Sequence, residues 1–158
     1  MNRWDPAAAT DLIESIGKGD ADIAFSAGKT FQAMAKDKRA GWISESQVSR
    51  LTHYFKSKRP DIQRRALTAF QALAEGPGAR QINGQHLTAL TRLFDAEDPS
   101  VRELAADVLG AVSESVAADR ITSIHVTRFV DLIGRPTSSV RLALVDTFEK
   151  LAKSPQAI

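Results

Sequence analysis

The chain has no cysteine in its 158 residues, which excludes disulfides, thiolate chemistry and cysteine-ligated zinc together. That composition is compatible with a reducing cytoplasm. Net charge is also nearly absent. Lys plus Arg is 21 and Asp plus Glu is 19, so the pI of 9.1 rests on a net charge of +2. So small an imbalance carries no message about nucleic acid or membranes, and any electrostatic argument falls to local clusters. No apolar run approaches the roughly 20 residues of a membrane span. The opening residues, Met1 to Pro6, lack the basic-then-apolar layout of a signal peptide. The expectation is a soluble cytoplasmic protein with no membrane partner.

What is present is a repeated pattern. The stretch from Asp98 to Val112 carries Val101, Ala105, Leu109 and Val112 at helical spacing. Moved back 39 positions the same places hold Ile62, Ala66, Phe70 and Leu73, and one step further Ile23, Ala27, Phe31 and Met34. Moved forward they hold Val140, Leu144, Phe148 and Leu151. A period of this size means stacked helical units.

Each unit opens with the same helix-start device. Ile43 and Ser44, Ile82 and Asn83, and Ile121 and Thr122 place an apolar residue before an N-cap, with Val48, Leu87 and Val126 positioned to close a hydrophobic staple. Gln47 completes a capping box with Ser44. Trp4, Asp5 and Pro6 continue the phase to the start. A first helix (A) follows each cap, with stripes such as Val48, Leu51 and Phe55 or Leu87, Leu90 and Phe94. A turn containing Pro or Gly leads to the second helix (B). The spacing predicts eight helices in one domain, 1–158, with repeats near 4–42, 43–81, 82–120 and 121–158. Gly76 is expected to cap a B helix.

Asp98, Pro99, Ser100, Val101 and Arg102, followed by Ala105, Ala106 and Leu109, resemble the HEAT repeat of the armadillo-like α-solenoid family. The resemblance implies an all-α, right-handed α-solenoid of four HEAT-like two-helix repeats. It also implies a ladder in which the Asp and Arg bond between repeats. Here Asp98 is replaced by Arg59 and Thr137 in sibling repeats, and Arg102 by Gln63 and Ala24, so only a partial ladder is expected. Proteins of this kind are mostly scaffolds and adaptors binding other proteins on a concave surface. Two enzymatic branches, DNA glycosylases and chromophore lyases, are similar in fold, and fold alone does not choose among them.

On the side of the B helices opposite the core, the register places Phe25, Lys29 and Lys36, then Arg64, Thr68 and Glu75, then Glu103, Asp107 and Glu114, then Leu142, Asp146 and Lys153. That face runs from basic to acidic, which suits a protein segment better than a phosphate backbone. A neighbouring column holds Gly28, Leu67, Ala106 and Val145, either packed between repeats or open to a partner. The expected partner-binding set is Phe25, Lys29, Arg64, Leu67, Glu103, Asp107, Leu142 and Asp146.

The alternative is nucleic-acid binding through the basic cluster of Lys56, Lys58, Arg59, Arg64 and Arg65. The same cluster also reads as a solvated turn at a helix C-terminus. An enzymatic reading has only Asp107 and Asp146 as groove carboxylates, with no aromatic residues beside them. His86 and His125 stand three after their caps, and no His pair has metal-site spacing. Neither a catalytic residue nor a metal or other cofactor is expected. Self-association through an end helix stays open.

Overall fold

The structure is a computed structural model that describes residues 5–18, 20–38, 43–133, 149–150 and 152–153. Among these it is all-helical. The α-helices are α1 (Pro6–Ile16), α2 (Ala21–Lys36), α3 (Glu45–His53), α4 (Pro60–Ala74), α5 (Gly84–Arg92), α6 (Pro99–Ser113) and α7 (Ser123–Ile133). The starts of α1, α3, α5 and α7 repeat at the period read from the sequence, as do those of α2, α4 and α6. The expected eighth helix, with Val140, Leu144 and Phe148, lies largely outside the described residues, as do Trp4 and Trp42.

Local signals explain the boundaries. Asp5 accepts from the Ala8 N–H at 2.7 Å, ahead of Pro6 at the first helical position. Ser44 and Gln47 close their capping box. Asp20 and Asp98 cap α2 and α6 through their side chains. Arg59 occupies the cap of α4 without a side-chain bond; there Pro60 supplies the helical φ.

Consecutive helices pack as hairpins, and the hairpins stack so that α2, α4 and α6 form one layer while α1, α3, α5 and α7 form the other. One continuous core fills the space between the layers. Ala27, Phe31 and Met34 of α2, Ile62, Ala66, Phe70 and Leu73 of α4, and Val101, Ala105, Leu109 and Val112 of α6 contribute their B stripes, all buried. Phe55 meets Phe70 edge to face at 5.8 Å, and Phe94 meets Phe129 likewise at 5.9 Å. Burying each such ring contributes about 1.5–3 kcal/mol before its ordering entropy is counted.

Two sequence expectations fail here for local reasons. Ile23 holds a core register position but is 53% exposed. In the next two repeats a 3-10 turn, Tyr54–Lys56 or Leu93–Asp95, follows the A helix and packs on the B helix. After α1 the chain enters the turn at Gly17 directly, leaving the start of α2 uncovered. Gly76 is not a left-handed cap: its φ is −115° and Glu75 ends the helix. Glycine is needed there because an added Cβ would overlap the Ala35 carbonyl of the preceding hairpin.

The inter-repeat ladder is also relocated. Arg102 donates to the Ala96 and Glu97 carbonyls within its own repeat, and Gln63 donates to Phe55 in the same way at 3.2 Å. Asp98 does bond between repeats, but its partner is Arg64 at 3.3 Å. The regular ladder runs instead through the A helices. The third residue of each of α3, α5 and α7 reaches a hydroxyl 37 residues earlier: Gln47 to Thr10 at 3.2 Å, His86 to Ser49 at 2.8 Å, and His125 to Thr88 at 3.1 Å.

Candidate functional site on the B-helix face

The outward side of the B layer carries the residues expected there. Phe25, Lys29 and Lys36 are exposed on α2; Arg64 and Thr68 are half-buried on α4 with Glu75 exposed at its end; Glu103 and Asp107 are half-buried on α6 with Glu114 exposed. Helical periodicity alone places them, since Phe25 and Lys29, Arg64 and Thr68, and Glu103 and Asp107 each lie four apart on one face, and the buried stripe residues lie two positions away, on the opposite face. Leu142 and Asp146 lie outside the described residues. Leu67 is a correction. It is fully buried and packs with the core, because its position turns toward the neighbouring hairpin, where Ala106 is buried as well.

Two hollows flank α4. The first, about 320 Å³, lies between α2 and α4 and is lined by Phe25, Gly28, Lys29, Asp61, Arg64 and Arg65, among others. Phe25 is 61% exposed at its rim, and the Lys29 ammonium sits 5.7 Å from the centre of its ring, within cation–π range. Gly28 forms the floor; a Cβ there would meet no atom within 4 Å. The column that holds Leu67 and Ala106 in its siblings thus lacks a side chain at this point, which opens the hollow. The glycine is visible in the sequence, but the column alone left it either packed between repeats or open.

The second hollow, about 550 Å³, lies between the C-terminal halves of α4 and α6, with Glu75, Asp107, Glu114, Val116 and Lys150 among its lining residues. Sequence reasoning placed its carboxylates on the outer face but did not see that Gly76 and Ala79 shape its wall. Glu75 pairs with Lys36 at 3.2 Å and Glu114 with Lys150 at 3.7 Å.

Ion pairs partition the basic cluster. Asp61 lies 2.7 Å from Arg59 and 3.5 Å from Arg65. Burial pushes the Asp61 carboxyl up, but the hydrogen bond from Arg59 and the charges of Arg59 and Arg65 outweigh it and hold the carboxyl below its ordinary value. Arg64 bonds Asp98 and, at 2.9 Å, the Ser100 hydroxyl. The Ser100 hydrogen bonds, and after them the Arg64 charge, hold the Asp98 carboxyl below its ordinary value. Arg65 Nη1 is buried with no hydrogen-bond partner. Lys56 faces elsewhere, in a third cleft of about 810 Å³ between α3 and α5 that also contains Glu45, His53 and Arg92. The five cations therefore do not share one surface. Among the described residues no group of three or more His, Asp or Glu is placed to hold a metal, and no helix is long and apolar enough to cross a membrane.

No protein-family model matches the chain, and no curated protein is significantly similar to it. Solved structures do match in fold. A crystal structure of an engineered protein aligns with a TM-score of 0.68 at 18% identity over 93% of this chain and 63% of its own length. A second engineered protein aligns with a TM-score of 0.66 at 17% identity over 96% of this chain and 64% of its own. A designed armadillo repeat protein in complex with the peptide (KR)4 aligns with a TM-score of 0.57 at 13% identity, over 91% of this chain and 64% of that one. The chain thus spans less than two thirds of these neighbours' length. With its hairpins layered as described and these neighbours aligned over more than nine-tenths of it, the chain has a HEAT/armadillo-like helical-repeat fold.

Proposed function

We propose that the chain is a cytoplasmic, non-enzymatic protein-interaction module, a scaffold or adaptor, that takes a segment of a partner protein on its B-helix face. In this reading residues 1–158 form one domain of four repeats near 4–42, 43–81, 82–120 and 121–158. The observation that carries it is the exposed Phe25 ring beside a side-chain-sized hollow whose floor is Gly28. A large apolar group next to a concave notch is what an interface anchor requires. Occupation of a designed armadillo repeat neighbour by a peptide is in keeping with it. Within the proposed face, Phe25 and Lys29 supply the apolar and cationic contacts at one end. Glu103 and Asp107 supply acidic ones at the other, and Arg64 divides its charge between the groove and Asp98.

Affinity capture from native extract, run with and without nuclease, tests the reading. Wild-type chain should retain a protein partner that nuclease does not release and that the Phe25→Ser, Glu103→Lys double variant loses. Retention by the double variant, or loss of all partners on nuclease treatment, overturns it.

A further inference from the structure

We propose that the side of α7 facing away from α5 is a second docking surface, separate from the B-helix face, and that it takes a helix of a partner protein with glutamine at its third position and arginine or lysine at its sixth. The seat that α1 gives to α3 is the template. There the Gln47 amide donates to the Pro6 carbonyl at 2.8 Å and to the Thr10 hydroxyl at 3.2 Å, Arg50 meets Glu14 at 3.1 Å, and Ile13 between them is buried. Three periods of 39 residues later, the same positions of α7 hold Ser123, Thr127, Val130 and Asp131. The Thr127 hydroxyl donates to the Ser123 carbonyl at 2.8 Å, as Thr10 does to Pro6 at 3.2 Å. Both acceptors that grip a carboxamide on α1 are therefore in place on α7, next to an aliphatic side chain and a carboxylate. The intervening helices do not copy the set, since Thr52 and His53, then Thr91 and Arg92, replace the aliphatic and acidic pair.

Exposure shows that this seat is open. Ile13, Thr52 and Thr91 are 1%, 6% and 0% exposed, each on a helix that packs against the next one in its layer, whereas Val130 is 49% exposed. Thr127 and Asp131 are exposed beside it. Charge and hydrogen bonding select the occupant. A second copy offering α1 would bring Ala8 and Asp11 to the third and sixth positions. A methyl would then meet the two acceptors and a carboxylate would meet Asp131, an arrangement that rejects self-stacking. A helix with the Gln47 and Arg50 pattern satisfies both groups and covers Val130.

The probe is a stapled peptide with the sequence of residues 43–56, held helical because an isolated segment of that length is only marginally so. Fluorescence anisotropy measures its binding to the full chain. Val130→Asp should weaken it about tenfold, and an Arg50→Glu peptide should bind wild-type chain about fivefold more weakly than the parent peptide. Asp131→Arg should reverse that preference. Both protein variants alter exposed positions and should keep the wild-type Tm, which a thermal melt checks. No binding, or binding indifferent to Val130→Asp and Asp131→Arg, overturns the docking surface. Sedimentation of the wild-type chain alone reads the other occupant: a dimer that Val130→Asp dissolves would assign the seat to a second copy and overturn the partner helix.

Discussion

His86 and Ser49 lie one repeat apart and are joined by a 2.8 Å hydrogen bond between Nε2 and Oγ. The other ring nitrogen, Nδ1, accepts the Asn83 N–H at 3.0 Å. That acceptor role places the proton on Nε2 in the neutral ring, so Nε2 donates to Ser49, whose hydroxyl donates in turn to the Glu45 carbonyl at 3.1 Å. His125 repeats the arrangement with Thr122, Thr88 and the Gly84 carbonyl. One imidazole thus caps its own helix and ties it to the preceding one.

Protonation would point a second N–H at the Asn83 or Thr122 donor. His86 and His125 are 3% and 2% exposed, and burial, the leading influence on each, holds both rings below their ordinary pKa. Glu45 opposes the shift at His86, while Arg128 adds to it at His125. The unfolded chain therefore binds protons at higher pH than the folded one. Stability from the neutral rings is complete above about pH 6.5 and declines as the pH falls below it. Melting curves from about pH 7.5 to about pH 5 should show Tm falling. In a His86→Gln, His125→Gln variant, which copies the Gln47 solution, the slope should shrink. An unchanged slope in the variant would remove the imidazoles as its cause.

Gly76→Ala and Gly28→Ala should have opposite effects. The first forces a methyl into the Ala35 carbonyl and should cost about 1–3 kcal/mol. The second adds a methyl in open space in the middle of α2 and should stabilise by about 0.5–1 kcal/mol through helix propensity, while weakening any ligand seated on Gly28. Urea titration separates the two directions; equal destabilisation would contradict the packing described.

Leu67→Ala should cost about 2–5 kcal/mol, since it empties a fully buried site. Phe25→Ser should stay within about 0.5 kcal/mol, because its ring is largely in water. Chemical denaturation of both variants checks this pair. A large loss at Phe25 would mean that the ring supports the fold instead of a partner.

Duplex DNA or RNA should bind weakly even at low salt, because Arg59, Arg64 and Arg65 are held by Asp61 and Asp98 and Lys56 faces a separate cleft. Fluorescence anisotropy across a salt series measures this. A steep decline of log affinity with log salt, of the kind several phosphate contacts produce, would favour the nucleic-acid alternative.

The face was legible in the sequence and the hollows were not. Phe25, Lys29, Arg64, Glu103 and Asp107 followed from counting 100° per residue along helices whose core stripes were plain. Leu67 was misplaced because it sits at the margin of that arc, where the neighbouring hairpin decides burial. Ile23 was misplaced because its register siblings are covered by 3-10 turns that α1 does not have.

By itself the sequence determined the stacked helical units, their period, their caps and the outward column of the B helices. These depend on local signals, the apolar spacing of a 3.6-residue helix and the capping residues before it, which act within a few positions of one another. Only the tertiary structure decided that Arg64 bonds Asp98, that Lys56 and Arg65 line different clefts, that Gly28 leaves a notch, and that the ladder runs through Gln47, His86 and His125. Each depends on how one hairpin is seated on the next, across contacts 34 to 37 residues apart, where a shift of a single side chain changes which groups meet.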